Sequence, residues 1–173
     1  MAKTGKRADV SFGRFASFGE FIESYRLSQQ RERGAMLKRL APADALAAMR
    51  QRDVVEVNAT IRVKEADDTD PGGGKHHRLV VRVVKILRSD PDVATDLNKS
   101  LTRALDVFLA VRIGDSLGIA NPISGLKVGL PLHLQGEWIP KDRALAHGGR
   151  RISVLHFTHH PIGFVCLPKK CFS

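Results

Sequence analysis

Apolar and polar residues alternate in the middle of the chain, and this pattern predicts β-strands. In the stretch 55–63 every second residue is apolar, so one face of the strand is buried and the other is wet. The Asp- and Gly-rich stretch 67–74 is typical of a turn. A second apolar stretch follows over 76–87, and the two strands are therefore predicted to form a hairpin.

Later segments predict three more strands and one helix. The strands are expected over 106–113, 130–139 and 152–160. Leu97, Leu101 and Leu105 recur every four residues, which predicts a short helix within 88–105. Sequential strands joined by turns favour a small closed barrel. We therefore expect a mainly β protein, a small five-stranded OB-like barrel with an inserted helix; an SH3-like barrel and an open α+β sheet are the alternatives.

The N-terminal part has a different pattern. Residues 1–13 are polar and basic, and helices are predicted over 18–33 and 42–49. Aromatic residues follow one helical face at Phe12, Phe15, Phe18, Phe21 and Tyr25. This stripe either docks the helix onto the barrel or contacts a protein partner or a second copy of the chain. The predicted division is a basic arm with two helices over 1–52 and an OB-like barrel over 53–173.

Charge narrows the classes of partner. The chain has 28 Lys and Arg against 18 Asp and Glu, a formal net charge of +10. Such an excess favours polyanions such as nucleic acid. No apolar run reaches the ~18 residues of a membrane span, and no signal-like stretch follows the N-terminus, so we expect no membrane partner and a cytoplasmic location. Cys166 and Cys171 are expected as free thiols, with a local disulfide as the alternative if the protein is exported.

Basic residues on strand faces and in the flanking loops are the candidate contacts to nucleic acid. They are Arg62, Lys75, Arg78, Arg82, Arg150 and Arg151. Aromatic residues are scarce in the predicted barrel, so affinity would come mainly from phosphate contacts and would fall with salt. The expected ligand is single-stranded DNA or RNA, bound with little sequence readout.

Histidines form the second candidate constellation, which comprises His76, His77, His156, His159 and His160. Four of them, all but His77, suggest a site for a divalent transition metal or a histidine-based hydrolytic centre of the phosphodiesterase or nuclease type. On one straight strand His156 and His160 would lie about 13 Å apart, at ~3.3 Å per residue, too far to share an ion. A bend at Thr158 or Pro161 would instead bring His159 or His160 near His76. A structural role in the barrel is the alternative. No nucleophile motif is present, so catalytic residues are not assigned and no cofactor other than this metal is expected.

Three segments resemble a small uncharacterised family of bacterial OB-like domains. They are Gly74–Leu79, Leu126–Trp138 and the His-rich Leu155–Pro161, the last being the most specific. The resemblance covers about residues 54–167; 88–105 is an insertion relative to the family, and the stretch after the final His-His pair is shortened here to 162–165. It implies an OB-like fold and marks these surfaces, and it implies no reaction.

Overall fold

A computed structural model describes two residues of the N-terminal part and most of 53–173. The described ranges are 10–11, 53–69, 73–115, 117–144, 151–160 and 162–173. The helices predicted over 18–33 and 42–49 lie outside them, as do the whole aromatic stripe and Arg150.

Nine strands and one helix are present within these ranges. They are β1 (Val10–Ser11), β2 (Val54–Lys64), β3 (Asp68–Thr69), β4 (Lys75–Ser89), α1 (Pro91–Thr102), β5 (Asp106–Ile113), β6 (Pro131–Ile139), β7 (Val154–His156), β8 (Phe164–Leu167) and β9 (Lys170–Phe172). The predicted hairpin corresponds to β2 and β4, and the predicted third and fourth strands correspond to β5 and β6.

Five strands close into a barrel. Around it the order is β6, β2, β4, β5 and β7, and β7 pairs with β6 to complete the circle. Neighbouring strands are antiparallel except β5 and β7, which are parallel. Closure pairs each barrel strand on both sides, so no barrel edge is left free. The prediction of a mainly β, five-stranded barrel is confirmed.

The barrel interior is filled by the apolar residues of the alternating pattern. Val55, Val57, Ala59 and Ile61 of β2 are fully buried, as expected when one face of a strand fills the core. Trp138 is also buried at 1% exposure. Three register shifts between β2 and β4 bend and twist these long strands, as the closure of a small barrel requires.

Helix α1 lies between β4 and β5, within the segment where the sequence predicts a helix. Pro91 occupies its first turn, where a missing N–H costs little. Val93 and Leu97 are its buried apolar residues. The helix stops before Ala104, whose φ of +48° is left-handed, so Leu105 lies outside the helix despite its four-residue spacing. Within the described ranges, no helix is long and apolar enough to cross a membrane.

The fifth barrel strand is shorter than predicted. β7 ends at His156, whereas the sequence pattern predicts a strand over 152–160. Phe157 has a φ of +50°, which is incompatible with extended backbone, and the chain then turns before β8. The prediction that His156 and His160 lie on one straight strand is therefore wrong.

The hairpin formed by β8 and β9 is an element that the alternating pattern does not predict. It pairs with β6 beside the barrel. Cys166 and Cys171 are cross-strand neighbours and form a disulfide, with their Cα atoms 3.9 Å apart. The expectation of two free thiols is therefore wrong. β1 pairs with β9, so Val10–Ser11 is a strand within the predicted N-terminal arm.

Candidate nucleic-acid interface

The outward-facing side of β4 and β5, called here the outer β4–β5 face, carries two of the six predicted cations, Arg78 and Arg82. β5 buries every second side chain and leaves the others half-buried, because its inner face fills the core. The cross-strand pairs on the outer β4–β5 face are His76 with Arg112, Arg78 with Ala110, Val80 with Phe108, and Arg82 with Asp106. At ~3.3 Å per residue, the face is about 20 Å long between His76 and Arg82.

Four rings meet at one end of this face. The ring centroids of His76 and His156 are 6.1 Å apart, those of His156 and Phe157 are 4.3 Å apart, and those of Phe157 and His159 are 5.9 Å apart. We call these four side chains the ring cluster. The left-handed turn at Phe157 is what returns His159 to the cluster. Histidine and phenylalanine rings are surfaces on which unpaired bases stack.

The environment of His156 keeps its ring neutral. Burial is the largest cause that lowers the pKa of His156 from 6.5 to about 4, and positive charge on His76, His159 and Arg112 adds to it. At neutral pH one ring nitrogen of His156 is therefore a hydrogen-bond acceptor. An imidazole with so low a pKa is also a weak base.

His159 is held by its own backbone turn. It is 6% exposed, and its Nδ1 donates a hydrogen bond to the carbonyl oxygen of His160 at 3.0 Å. The ring contacts of the cluster involve His76, His156 and His159. Among the described residues, no three His, Cys, Asp or Glu side chains are arranged to hold a metal ion. The metal site at His76, His156, His159 and His160 remains a prediction.

Each arginine on the outer β4–β5 face has a carboxylate partner. The pairs are Arg78 with Glu65 at 3.0 Å and Asp68 at 3.8 Å, Arg82 with Asp106 at 3.1 Å, and Arg112 with Asp115 at 2.8 Å. Hydrogen bonds from Arg112 lower the pKa of the Asp115 carboxyl. These pairs fix the guanidinium groups in place, but a phosphate has to compete with the carboxylates for them.

The remaining predicted cations are less constrained. Arg62, Lys75 and Arg151 are exposed, and none forms an ion pair with another described residue. Lys75 lies at the start of β4, beside the ring cluster. Arg151 and Arg82 line one cavity at the opposite end of the face. Arg62 lies on β2, the strand next to β4, in the register shift beside Val80 and Val81 of β4.

His77 has a structural role that the sequence pattern does not distinguish from the other histidines. Its Nε2 accepts a hydrogen bond from the backbone N–H of Ile123 at 2.9 Å, and its Nδ1 lies 2.8 Å from Oδ1 of Asp67. Since Nε2 is the acceptor, the proton is on Nδ1, which donates to Asp67. The buried ring therefore ties two loops to β4.

A second buried pair, Glu56 and His133, could not be predicted from the sequence. Alternation predicts Glu56 on the wet face of β2, yet it is fully buried, with Oε1 at 2.7 Å from Nε2 of His133. Gln135, cross-strand to Glu56, donates a hydrogen bond to the carbonyl of Ile162 at 2.7 Å. The segment leading into β8 therefore covers this part of β2, and the expectation of one wet face is wrong at Glu56.

Comparisons with known proteins identify no relative of this chain. No protein family, no curated protein and no solved structure matches it.

Proposed function

We propose that this protein is an OB-like barrel that binds single-stranded nucleic acid, DNA or RNA, with little sequence readout. The observation that carries the proposal is the outer β4–β5 face. There, fixed arginines and a cluster of flat rings lie along about 20 Å of strand, at ~3.3 Å per residue, and the exposed Lys75 begins β4 at the end where the rings lie. Cations for phosphates beside rings for bases are the two components of single-strand recognition.

The position of this face in the barrel supports the proposal. β4 and β5 are the second and third strands of the barrel in chain order. In OB folds, the outer face of these two strands and the loops after the first and fourth strands bind oligonucleotides. The corresponding loops here follow β2 and β6. The first carries Asp67 and Asp68 and ends at Lys75, and the second carries Lys141 and Arg151.

The charges along the outer β4–β5 face favour binding that is driven by phosphate contacts and depends little on base sequence. The arginines are paired with carboxylates, whereas Lys75 and Arg151 are exposed without ion pairs among the described residues. Long exposed cations gain most from phosphate contacts, because those contacts release counterions. Few side chains on this face present the paired donors and acceptors that read base edges.

The test is the salt dependence of binding to an internally labelled oligothymidylate or oligouridylate, measured by fluorescence anisotropy with the full chain. The variant Lys75→Gln/Arg78→Gln removes one cation from the face and one from the start of β4 beside the ring cluster. Lys127→Gln/Lys169→Gln removes the same charge from exposed positions elsewhere and is the matched control. For single strands each lost phosphate contact flattens the slope of log K against log salt by about 0.7.

We expect the first variant to bind more weakly at low salt and to flatten the slope by about 1.4, while the control keeps the slope of the unmodified chain. Thermal unfolding of each variant verifies that the fold is intact. Equal slopes for the two variants would remove the outer β4–β5 face from the proposal. Absence of binding at low salt by the unmodified chain would overturn it.

Histidine-based hydrolysis of a phosphodiester is the second candidate function, because three histidines and Arg112 converge on the ring cluster. It requires a general base, and with a pKa of about 4 His156 is deprotonated but weakly basic at neutral pH. If His156 is that base, the rate of cleavage of a fluorogenic phosphodiester rises through pH 4 and is flat above it. A rate that is unchanged by His156→Gln would exclude His156 from this role.

A further inference from the structure

A cavity of about 480 Å³ opens at the end of the outer β4–β5 face that is opposite to the ring cluster. The end of α1, the start of β5 and the two segments that flank 145–150 line it. Five cationic side chains contribute to its wall: Arg82, Lys99, Arg103, Lys141 and Arg151. Its volume lies in the range of ~300–1,000 Å³ that is usual for small-molecule sites, which is room for a nucleotide-sized ligand.

Arg82 lies in the wall of this cavity and is fixed there by a carboxylate. One terminal nitrogen donates to Oδ1 of Asp106 at 3.1 Å. Its Nε is buried and has no hydrogen-bond partner among the described residues. Because that atom is not exposed to the cavity, a ligand would contact the exposed third of the side chain.

Two of the three carboxylates that line the cavity are already engaged. Asp96 accepts hydrogen bonds from Nε1 of Trp138 at 2.8 Å and from Oγ of Ser153 at 2.9 Å. Asp106 is paired with Arg82. Asp142 is the third acidic residue in the wall. Four cations therefore remain without an ion pair among the described residues, and the balance favours an anion.

The C-terminal end of α1 accounts for only some of the cations in the cavity wall. Lys99 lies in the last turn of α1 and Arg103 is its C-cap, where positive side chains favourably oppose the helix dipole. Lys141 and Arg151 come from a different part of the chain, between β6 and β7, and converge on the same cavity. The lining holds five cations and three carboxylates, an excess of two positive charges, and an anion bound between the cations would relieve their repulsion.

We propose that this cavity binds a terminal phosphate monoester, either at the end of a nucleic-acid strand or on a free nucleotide. A monoester carries about −1.5 to −2 charges at neutral pH, more than the single charge of each backbone phosphodiester, and it therefore suits several converging cations best. The strand-end source rests on the proposed function, because a strand lying along the outer β4–β5 face reaches the cavity at Arg82. The free-nucleotide source does not depend on it.

The experiment compares three internally labelled oligothymidylates that differ only in their ends: a 5′-phosphate, a 3′-phosphate, or hydroxyls at both ends. Binding of adenosine 5′-monophosphate alone is measured by calorimetry. Each ligand is tested with the full chain, with Lys99→Gln/Arg103→Gln and with the control Lys127→Gln/Lys169→Gln. All four substituted residues are exposed, so folding should be retained, and thermal unfolding verifies it.

We expect one phosphorylated end to bind about tenfold more tightly than the hydroxyl form, the size of one or two charge-assisted hydrogen bonds. Lys99→Gln/Arg103→Gln should abolish this preference, while the control retains it. Binding of the mononucleotide without binding of any oligonucleotide would support the cavity with a free nucleotide as its ligand and would overturn the proposed function.

Two results would overturn the inference itself. One is equal affinity for all three oligonucleotides together with no mononucleotide binding, which would leave the proposed function standing. The other is a preference for a phosphorylated end that persists in Lys99→Gln/Arg103→Gln, since the phosphate would then lie elsewhere. Absence of binding to every ligand would overturn both proposals.

Discussion

At His77 both ring nitrogens have partners, whereas the neighbouring His76 belongs to the ring cluster. The two residues are adjacent in sequence and point to opposite faces of β4. Alternation alone predicts that one is buried and the other is not. It does not predict Asp67 or Ile123 as partners, because those residues lie in loops whose paths are set by the whole fold.

His77→Ala should destabilise the protein by about 3 kcal/mol, since it leaves the N–H of Ile123 buried without an acceptor and also creates a cavity. Urea unfolding measures the change. His76→Ala, at a half-buried position, is the comparison and should cost under about 1 kcal/mol. Similar losses for the two variants would mean that the Asp67–His77–Ile123 connection is not a special constraint.

The lowered pKa of His156 predicts how stability depends on pH. Its pKa falls from 6.5 to about 4 on folding, so the unfolded chain binds the proton more tightly than the native protein. Stability from this source is complete above pH 6.5 and is lost as the pH falls toward 4, by up to about 3 kcal/mol.

Urea unfolding of the unmodified chain and of His156→Gln between these pH values checks this prediction. The stability of the unmodified chain relative to the variant should decline on acidification. An NMR titration of the His156 ring with a midpoint near its ordinary value would refute the buried, neutral form.

Among the elements, long alternating strands could be predicted from sequence, and the closing turn and the C-terminal hairpin could not. β2, β4, β5 and β6 present enough alternating residues to indicate both type and extent. β8 and β9 are four- and three-residue strands whose side chains are mostly buried on both faces, so they show no period of two. β7 is followed by Phe157, a left-handed residue that is not a glycine, and the sequence has no marker for such a residue.

Gly163 shows why this turn tolerates few substitutions. A Cβ added there would collide with the backbone oxygen of Gln135 and with that of Phe157. Gly163→Ala should therefore destabilise the protein by at least about 2 kcal/mol. In the control, Gly125→Ala, only the positive φ opposes the change and the added Cβ meets open space, so about 1–2 kcal/mol is expected. Thermal or urea unfolding ranks the two, and a smaller effect at Gly163 would contradict the close approach.

The disulfide should contribute to the stability of the hairpin. Cys166 and Cys171 are five residues apart and both are buried. Closing so short a loop stabilises the folded state by about 2 kcal/mol in the chain-entropy description. Cys166→Ala/Cys171→Ala should lose this amount in urea unfolding, and reductant should mimic it. Detection of two free thiols in protein purified without reductant would contradict the pairing.

At the scale of the whole molecule, the basic character of the chain is evident from sequence, but its distribution in space is not. Arg78, Arg82 and the histidines could be selected by residue type and strand position. Their carboxylate partners, and the cavity that Arg82 and Arg151 both line, depend on contacts between strands and loops far apart in the chain. Arg62 has the right type and exposure, yet it lies one strand away from the outer β4–β5 face.

The most direct test of the central claim is to map the surface that contacts a single-stranded oligonucleotide. An NMR titration of the labelled full chain at low salt reports which backbone amides respond. We predict that the responding amides cluster in β4, β5 and β7, with the ring cluster included, and that added salt reverses the shifts. Responses confined to the hairpin of β8 and β9, or no responses at saturating oligonucleotide, would contradict the assignment of this face as a nucleic-acid interface.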